Sequence, residues 1–177
     1  MLKLRRRSPI KKSLIGGKRG NMIVDSITVL VILCVFGLVL FLSYLTLSQW
    51  NTEMQADDEF SDAAKNVTSD ITQAYPSYMD NGFVFILIGL WVASVVASFF
   101  IDSHPVFFIM AFLALIFVII VSGYMSNAFV EVSEDAELTT TAQAFPKTLW
   151  VFENLITIIV VYGLSIGLAL YAKVKAG

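Results

Sequence analysis

The side chains able to do chemistry in this 177-residue chain are few and widely spaced. His104 is the only histidine, and Asp102 stands two positions before it. An acid beside an imidazole at a membrane edge is the composition of a proton relay. The same tetrapeptide also reads as helix punctuation. Asp102 or Ser103 accepts backbone N–H groups, and Pro105 opens a helix where its missing donor costs nothing. Positional chemistry favours capping. Asp25 and Glu153 are the acids nearest to apolar interiors, where a carboxylate is a functional-site hypothesis by default. Both fall within about one turn of an expected span boundary, in the first turn of a helix, where the dipole favours a carboxylate. They read as boundary residues, with transport as the rival.

The remaining candidates exclude more than they suggest. A lone cysteine, Cys34, allows no intrachain disulfide. One histidine and one cysteine cannot ligate a bis-histidine haem, a copper centre or a structural zinc. The acidic stretches lack the ligand spacing of a calcium loop. Asn66-Val67-Thr68 matches a glycosylation sequon, a three-residue pattern common by chance. The expectation is a chain without a catalytic, metal or cofactor site.

The elements that position these residues are membrane spans. The chain is 57% hydrophobic and 15% charged, where a soluble domain is about a quarter charged. Apolar runs at 27–47, 83–101, 106–125 and about 149–171, the last with an uninterrupted core from Leu155, each suit a hydrocarbon core that needs about 20 helical residues, and helices satisfy their own backbone in lipid. Trp50, Tyr75, Tyr78, Trp91, Tyr124, Trp150 and Tyr171 mostly fall near span ends, as interfacial aromatics do. The expected fold is all-α. Its parts are a basic tail (1–21), a first span (22–50), an acidic amphipathic segment (51–82), a hairpin of two spans (83–125), an acidic loop (126–148) and a fourth span with a short basic tail (149–177).

Charge sets the orientation. Lys3, Arg5, Arg6, Arg7, Lys11, Lys12, Lys18 and Arg19 crowd the front tail, and the connections at 48–82 and 126–147 hold only Lys65 and Lys147. The positive-inside rule then puts both termini on the cytoplasmic side. The tail and first span read as a retained signal anchor, because the apolar region is too long for a cleaved signal peptide and no small-residue cleavage site follows. Gly20-Asn21 with Asp25 admits a prepilin-like reading, against which three further spans count.

Between Glu53 and Tyr75, apolar Phe60, Ala64, Val67, Ile71 and Ala74 recur at the spacing of one helical face. This predicts an amphipathic helix ending at Tyr75-Pro76, since proline disfavours helix in the residue before it. The loop through Val130, Glu134, Glu137 and Ala142 to Phe145-Pro146 looks like a shorter copy. Aromatic-Pro followed by acid-Asn then recurs as Tyr75-Pro76…Asp80-Asn81 and Phe145-Pro146…Glu153-Asn154. The recurrence reads either as a duplicated hairpin, as in membrane proteins of parallel repeats, or as reused punctuation. Gly89, Ala93 and Ala97 on the second span, and Gly163 and Gly167 on the fourth, let helix backbones approach closely. They predict helix seams, within the chain or between copies.

Three patches carry a family resemblance: 17–26, reading GKRGNMIVDS; 99–108, reading FFIDSHPVFF; and 170–173, reading LYAK. Together with the layout they resemble small multi-span membrane proteins of tailless icosahedral viruses with a lipid membrane inside a double-jelly-roll capsid. The resemblance implies a structural scaffold of the internal vesicle, with the basic tail facing the capsid and the acidic loops facing the genome. Its partners would be the bilayer, capsid or other soluble-assembly proteins held through residues 1–20, and further membrane proteins or copies of itself. Acidic loops argue against direct, sequence-specific nucleic-acid binding. The rival functions are a cofactor-free accessory subunit of a membrane complex, and a small channel or proton-coupled carrier.

Overall fold

The computed structural model describes residues 22–100 and 105–176. They form α1 (Met22–Ala56), α2 (Asp62–Ser98), α3 (Pro105–Ser133), α4 (Thr139–Gln143), α5 (Pro146–Glu153) and α6 (Leu155–Ala176), with no strand among the described residues. Four helices, α1, α2, α3 and α6, are long and apolar enough to cross a membrane. The protein is an all-α integral membrane protein. Around the bundle, α1 packs on α2 and α3, and α6 packs on α3 and α2. Two antiparallel hairpins thus sit side by side.

The long helices overrun their apolar runs. The 35 residues of α1 and 37 of α2 rise ~52 and ~55 Å, against a hydrocarbon core of ~30 Å. The excess lies at one end, where α1 and α2 continue as a helical hairpin closed by a turn at 57–61. In that turn Asp57 Oδ1 accepts from Glu59 N at 2.9 Å, and Ser61 Oγ caps α2 by accepting from Ala64 N. Asp135 Oδ1 accepts from Glu137 N at 3.0 Å in the turn after α3. Both hairpins therefore close with the same side-chain turn, beside the same acidic composition.

Four sequence expectations need correction here. The helix expected between Glu53 and Tyr75 is interrupted by the turn at 57–61, which leaves Phe60 outside α2. The amphipathic segment does not stop at Tyr75-Pro76. It runs straight through Pro76 into the second span as one helix. A mid-helix proline costs ~3 kcal/mol in isolation, but neighbouring helices and hydroxyl side chains offset such breaks in membrane bundles. Here Pro76 is buried on the face of α2 that packs inside the bundle. The buried face of this segment is also not its apolar stripe. Thr68, Thr72, Pro76 and Asp80, four residues apart along one ridge, are buried, whereas Phe60, Val67 and Ile71 are exposed. The tight turn sets the azimuth, and polar stitching to α1 completes it. Gln55 Nε2 donates to Lys65 O at 2.9 Å, Lys65 Nζ donates to Gln55 O at 3.2 Å, and Thr68 Oγ1 meets Met54 Sδ at 3.5 Å.

The fourth span is likewise not one helix from 149, although its uninterrupted core does begin at Leu155. It is divided at Asn154 into α5 and α6. Asn154 Nδ2 turns back to donate to Trp150 O, and Ser126 Oγ of α3 donates to the Phe152 carbonyl at 2.6 Å. Irregular backbone near the membrane is tolerated where protein groups satisfy it. The third connection holds only the short α4, and the expected stop at Phe145-Pro146 stands, with Pro146 opening α5.

Candidate functional site

The most organised polar constellation lies where the two hairpins meet. Helix α5 begins at Pro146 with Phe145 in the N-cap position, a residue whose side chain cannot accept a hydrogen bond. Its first N–H groups need an acceptor from elsewhere. Asp80 of α2 supplies it. Its Oδ2 accepts from Lys147 N at 3.0 Å, and its Oδ1 accepts from Thr148 N at 2.7 Å and from Thr148 Oγ1 at 2.8 Å. Asp80 is 3% exposed and Thr148 is fully buried. A carboxylate at a helix N-terminus is also favoured by the dipole. Beside it, Lys147 Nζ donates to Asn81 Oδ1, and Asn81 Nδ2 donates to Ser77 O.

An aromatic cluster packs beneath this cap. Phe145 meets Phe41 at 5.4 Å, and its ring stands edge-on to Tyr44 and Tyr75 at 5.7 and 6.4 Å. Phe129 stacks on Phe152 at 3.7 Å, and Phe83 packs on Phe152 at 5.7 Å. Phe41, Phe83, Phe129, Phe145 and Phe152 are all fully buried. Gly37 makes room for them, since a Cβ there would lie 2.7 Å from Phe152 Cε2 and 2.9 Å from Phe129 Cε2. The two aromatic-Pro motifs therefore interlock: Tyr75 touches Phe145, and the acid following Pro76 caps the helix that Pro146 begins.

The expected site residues fare unevenly. The basic residues at 3, 5, 6, 7, 11, 12, 18 and 19, together with Asp102 and His104, lie outside the described residues, as does the side chain of Asp25, whose backbone is in the first turn of α1. Glu153 is not in the first turn of a span. It is the last residue of α5 and is exposed on the outside of the bundle, while Asn154 marks the break. Gly163 is a seam residue, because a Cβ there would overlap Leu115 of α3. Gly89 and Gly167 have nothing within 4 Å of that position, and Ala93 and Ala97 are exposed, so this part of the small-residue pattern is not an internal seam. Thr68 of the sequon is buried and donates to Ala64 O within its helix. Cys34 is buried in α1.

Sequence reasoning singled out Asp80 only as part of a recurring acid-Asn pattern, not as a cap, and missed Thr148, Ser126 and Gly37. A signal for Asp80 existed, in that Pro146-Lys147-Thr148 starts a helix with no local capping residue in front of it. Inside the membrane region, Tyr162 Oη of α6 donates to Ser94 Oγ of α2 at 2.6 Å. Among the described residues no group of three or more His, Cys, Asp or Glu comes together as a metal site. No protein-family profile, curated protein or solved structure matches the chain.

Proposed function

We propose that this protein is a non-enzymatic membrane scaffold, anchoring a bilayer to a soluble assembly through its basic front tail. The observation that carries the reading is the use made of Asp80. It is the one buried ionisable acid among the described residues, and both its oxygens are occupied by the start of α5. A carrier keeps a membrane-edge carboxylate open to its cargo; here the carboxylate joins two hairpins into one rigid unit. The projecting end of α1 and α2 gives that unit a stiff acidic extension away from the tail.

The setting we favour is a virion, in which the chain ties an internal vesicle to the capsid. The three patches of resemblance and the charge segregation support it. Both termini would face the cytoplasmic side, where such a shell assembles. The tail would hold anionic headgroups at ~1 kcal/mol per basic residue near the surface, or capsid protein, or both.

Gentle gradient separation of native material, with mass spectrometry of what migrates with the chain, tests the reading. Co-migration with capsid-type proteins and nucleic acid in a lipid-containing particle is expected, and deletion of residues 1–19 should release the chain from its partner. Co-migration with redox or transport subunits would make it an accessory subunit instead. Asp25→Asn and Glu153→Gln should leave assembly intact; abolition of ion flux through liposomes by either would establish a carrier.

A further inference from the structure

One apolar face on the projecting part of α2 is left uncovered by the other described residues. On the projecting part of α2, Val67, Ile71 and Tyr78 are 57, 53 and 74% exposed. They recur at 67, 71 and 78, with Ala74 between them, which places them along a single helix face. The opposite face of the helix, Thr68, Thr72, Pro76 and Asp80, is the one engaged with α1 and α5. Lipid cannot reach the upper stripe of an upright helix. Because α2 continues unbroken through Pro76, Ile71 and Val67 stand ~18 and ~24 Å along the axis beyond the start of the apolar run at 83. The headgroup layer adds only ~5–8 Å to each side of the hydrocarbon.

Two features identify what covers it. The stripe has no charged residue, although this end of the molecule is acidic, with Asp58, Asp62 and Asp70 at other positions on the same hairpin. Two acidic hairpins can meet along this line without opposing their carboxylates. The face also continues into the membrane on the same helix. Gly89 lies about five turns beyond Ile71, at the same azimuth, and is open with Ala93, while Phe85 beside it is exposed. Small residues facing lipid permit close backbone approach. A partner matching both halves must itself have a membrane helix that projects as a stiff rod with an apolar, uncharged stripe at the same height. A second copy of α2 meets every one of these terms, and insertion in a common orientation sets the heights equal.

We propose that two copies of this chain pair in parallel through the outer face of α2, over Val67–Gly89, about a two-fold axis along the membrane normal. A shallow crossing of about 20° centred near Tyr78 keeps the axes within the ~8–10 Å packing range over that ~33 Å stretch. The pairing does not rest on the virion setting and would hold in any membrane.

The test uses the full chain in liposomes, with Cys34→Ala removing the native thiol. Ile71→Cys and Tyr78→Cys should form disulfide-linked dimers under mild oxidation with at least ~10-fold higher yield than Gln73→Cys or Ser69→Cys, which lie on other faces of the same helix turns. Equal yields at all four positions, or dimers only from positions on α3 or α6, would overturn the proposal. Single-molecule photobleaching of the unsubstituted chain at low surface density provides a readout without any α2 substitution. Two steps are expected, falling to one on Ile71→Asp, and one step for the unsubstituted chain would overturn the proposal.

Discussion

Removing the Asp80 carboxylate tests the junction on which the scaffold reading depends. In Asp80→Ala, three donors lose their acceptor: Lys147 N, Thr148 N and Thr148 Oγ1. Losing an N-cap acceptor costs ~1 kcal/mol, and leaving the buried hydroxyl and N–H of Thr148 unpaired adds ~2 kcal/mol, water being excluded there. The expected loss is about 3 kcal/mol. Asp80→Asn retains one acceptor but turns an amide N–H₂ toward a donor, so about half that loss is expected. Thr148→Val alone should cost ~1 kcal/mol, and the double variant Asp80→Ala/Thr148→Val should fall short of the sum by about 1 kcal/mol, because the two side chains share a bond. The assay is reversible unfolding in mixed micelles, followed by tryptophan fluorescence, with Trp150 on α5 itself. If Asp80→Ala unfolds within ~0.5 kcal/mol of the parent, as an ordinary surface change does, the capping argument is refuted. Strict additivity of the double variant would refute the hydroxyl contact.

The same titration separates the glycines. Gly37→Ala should lose ~1–3 kcal/mol by driving a methyl into Phe152 and Phe129, and Gly163→Ala should lose a comparable amount unless Leu115 changes rotamer. Gly89→Ala meets nothing, so it should be neutral or gain up to ~1 kcal/mol from helix propensity; a loss as large as that at Gly37 would contradict the packing described. Phe145→Ala removes a fully buried ring joining α1, α2 and α5, with an expected loss of ~3–5 kcal/mol, read as the denaturant midpoint. Tyr162→Phe deletes one hydrogen bond to Ser94 and should cost only ~0.6 kcal/mol, the usual value between membrane helices; infrared or fluorescence-monitored unfolding would register a larger role as a larger shift.

The apolar runs determined by themselves that this chain has four membrane helices, because hydrocarbon leaves a backbone no other way to satisfy its polar groups. The Phe145-Pro146 stop and the seam at Gly163 were likewise legible, each being a local consequence of proline or a missing side chain, whereas the turn at 57–61, inside a stretch that reads as one helix, was not. The continuation of α2 through Pro76 was not. A proline's effect depends on its tertiary surroundings, and here the adjacent Tyr75 is packed by Tyr44 and Phe145 from two other stretches of chain. The buried face of that segment was also hidden, since apolar periodicity reports a stripe and not which neighbour the stripe will meet. Asp80 shows the limit most clearly. In the sequence it is one acid among fourteen, 67 residues from the helix start it caps. Only the docking of one hairpin on the other brings carboxylate and donors within hydrogen-bond reach, and that docking is decided by the packing of buried phenylalanine rings, two of them against Gly37, which no local pattern encodes.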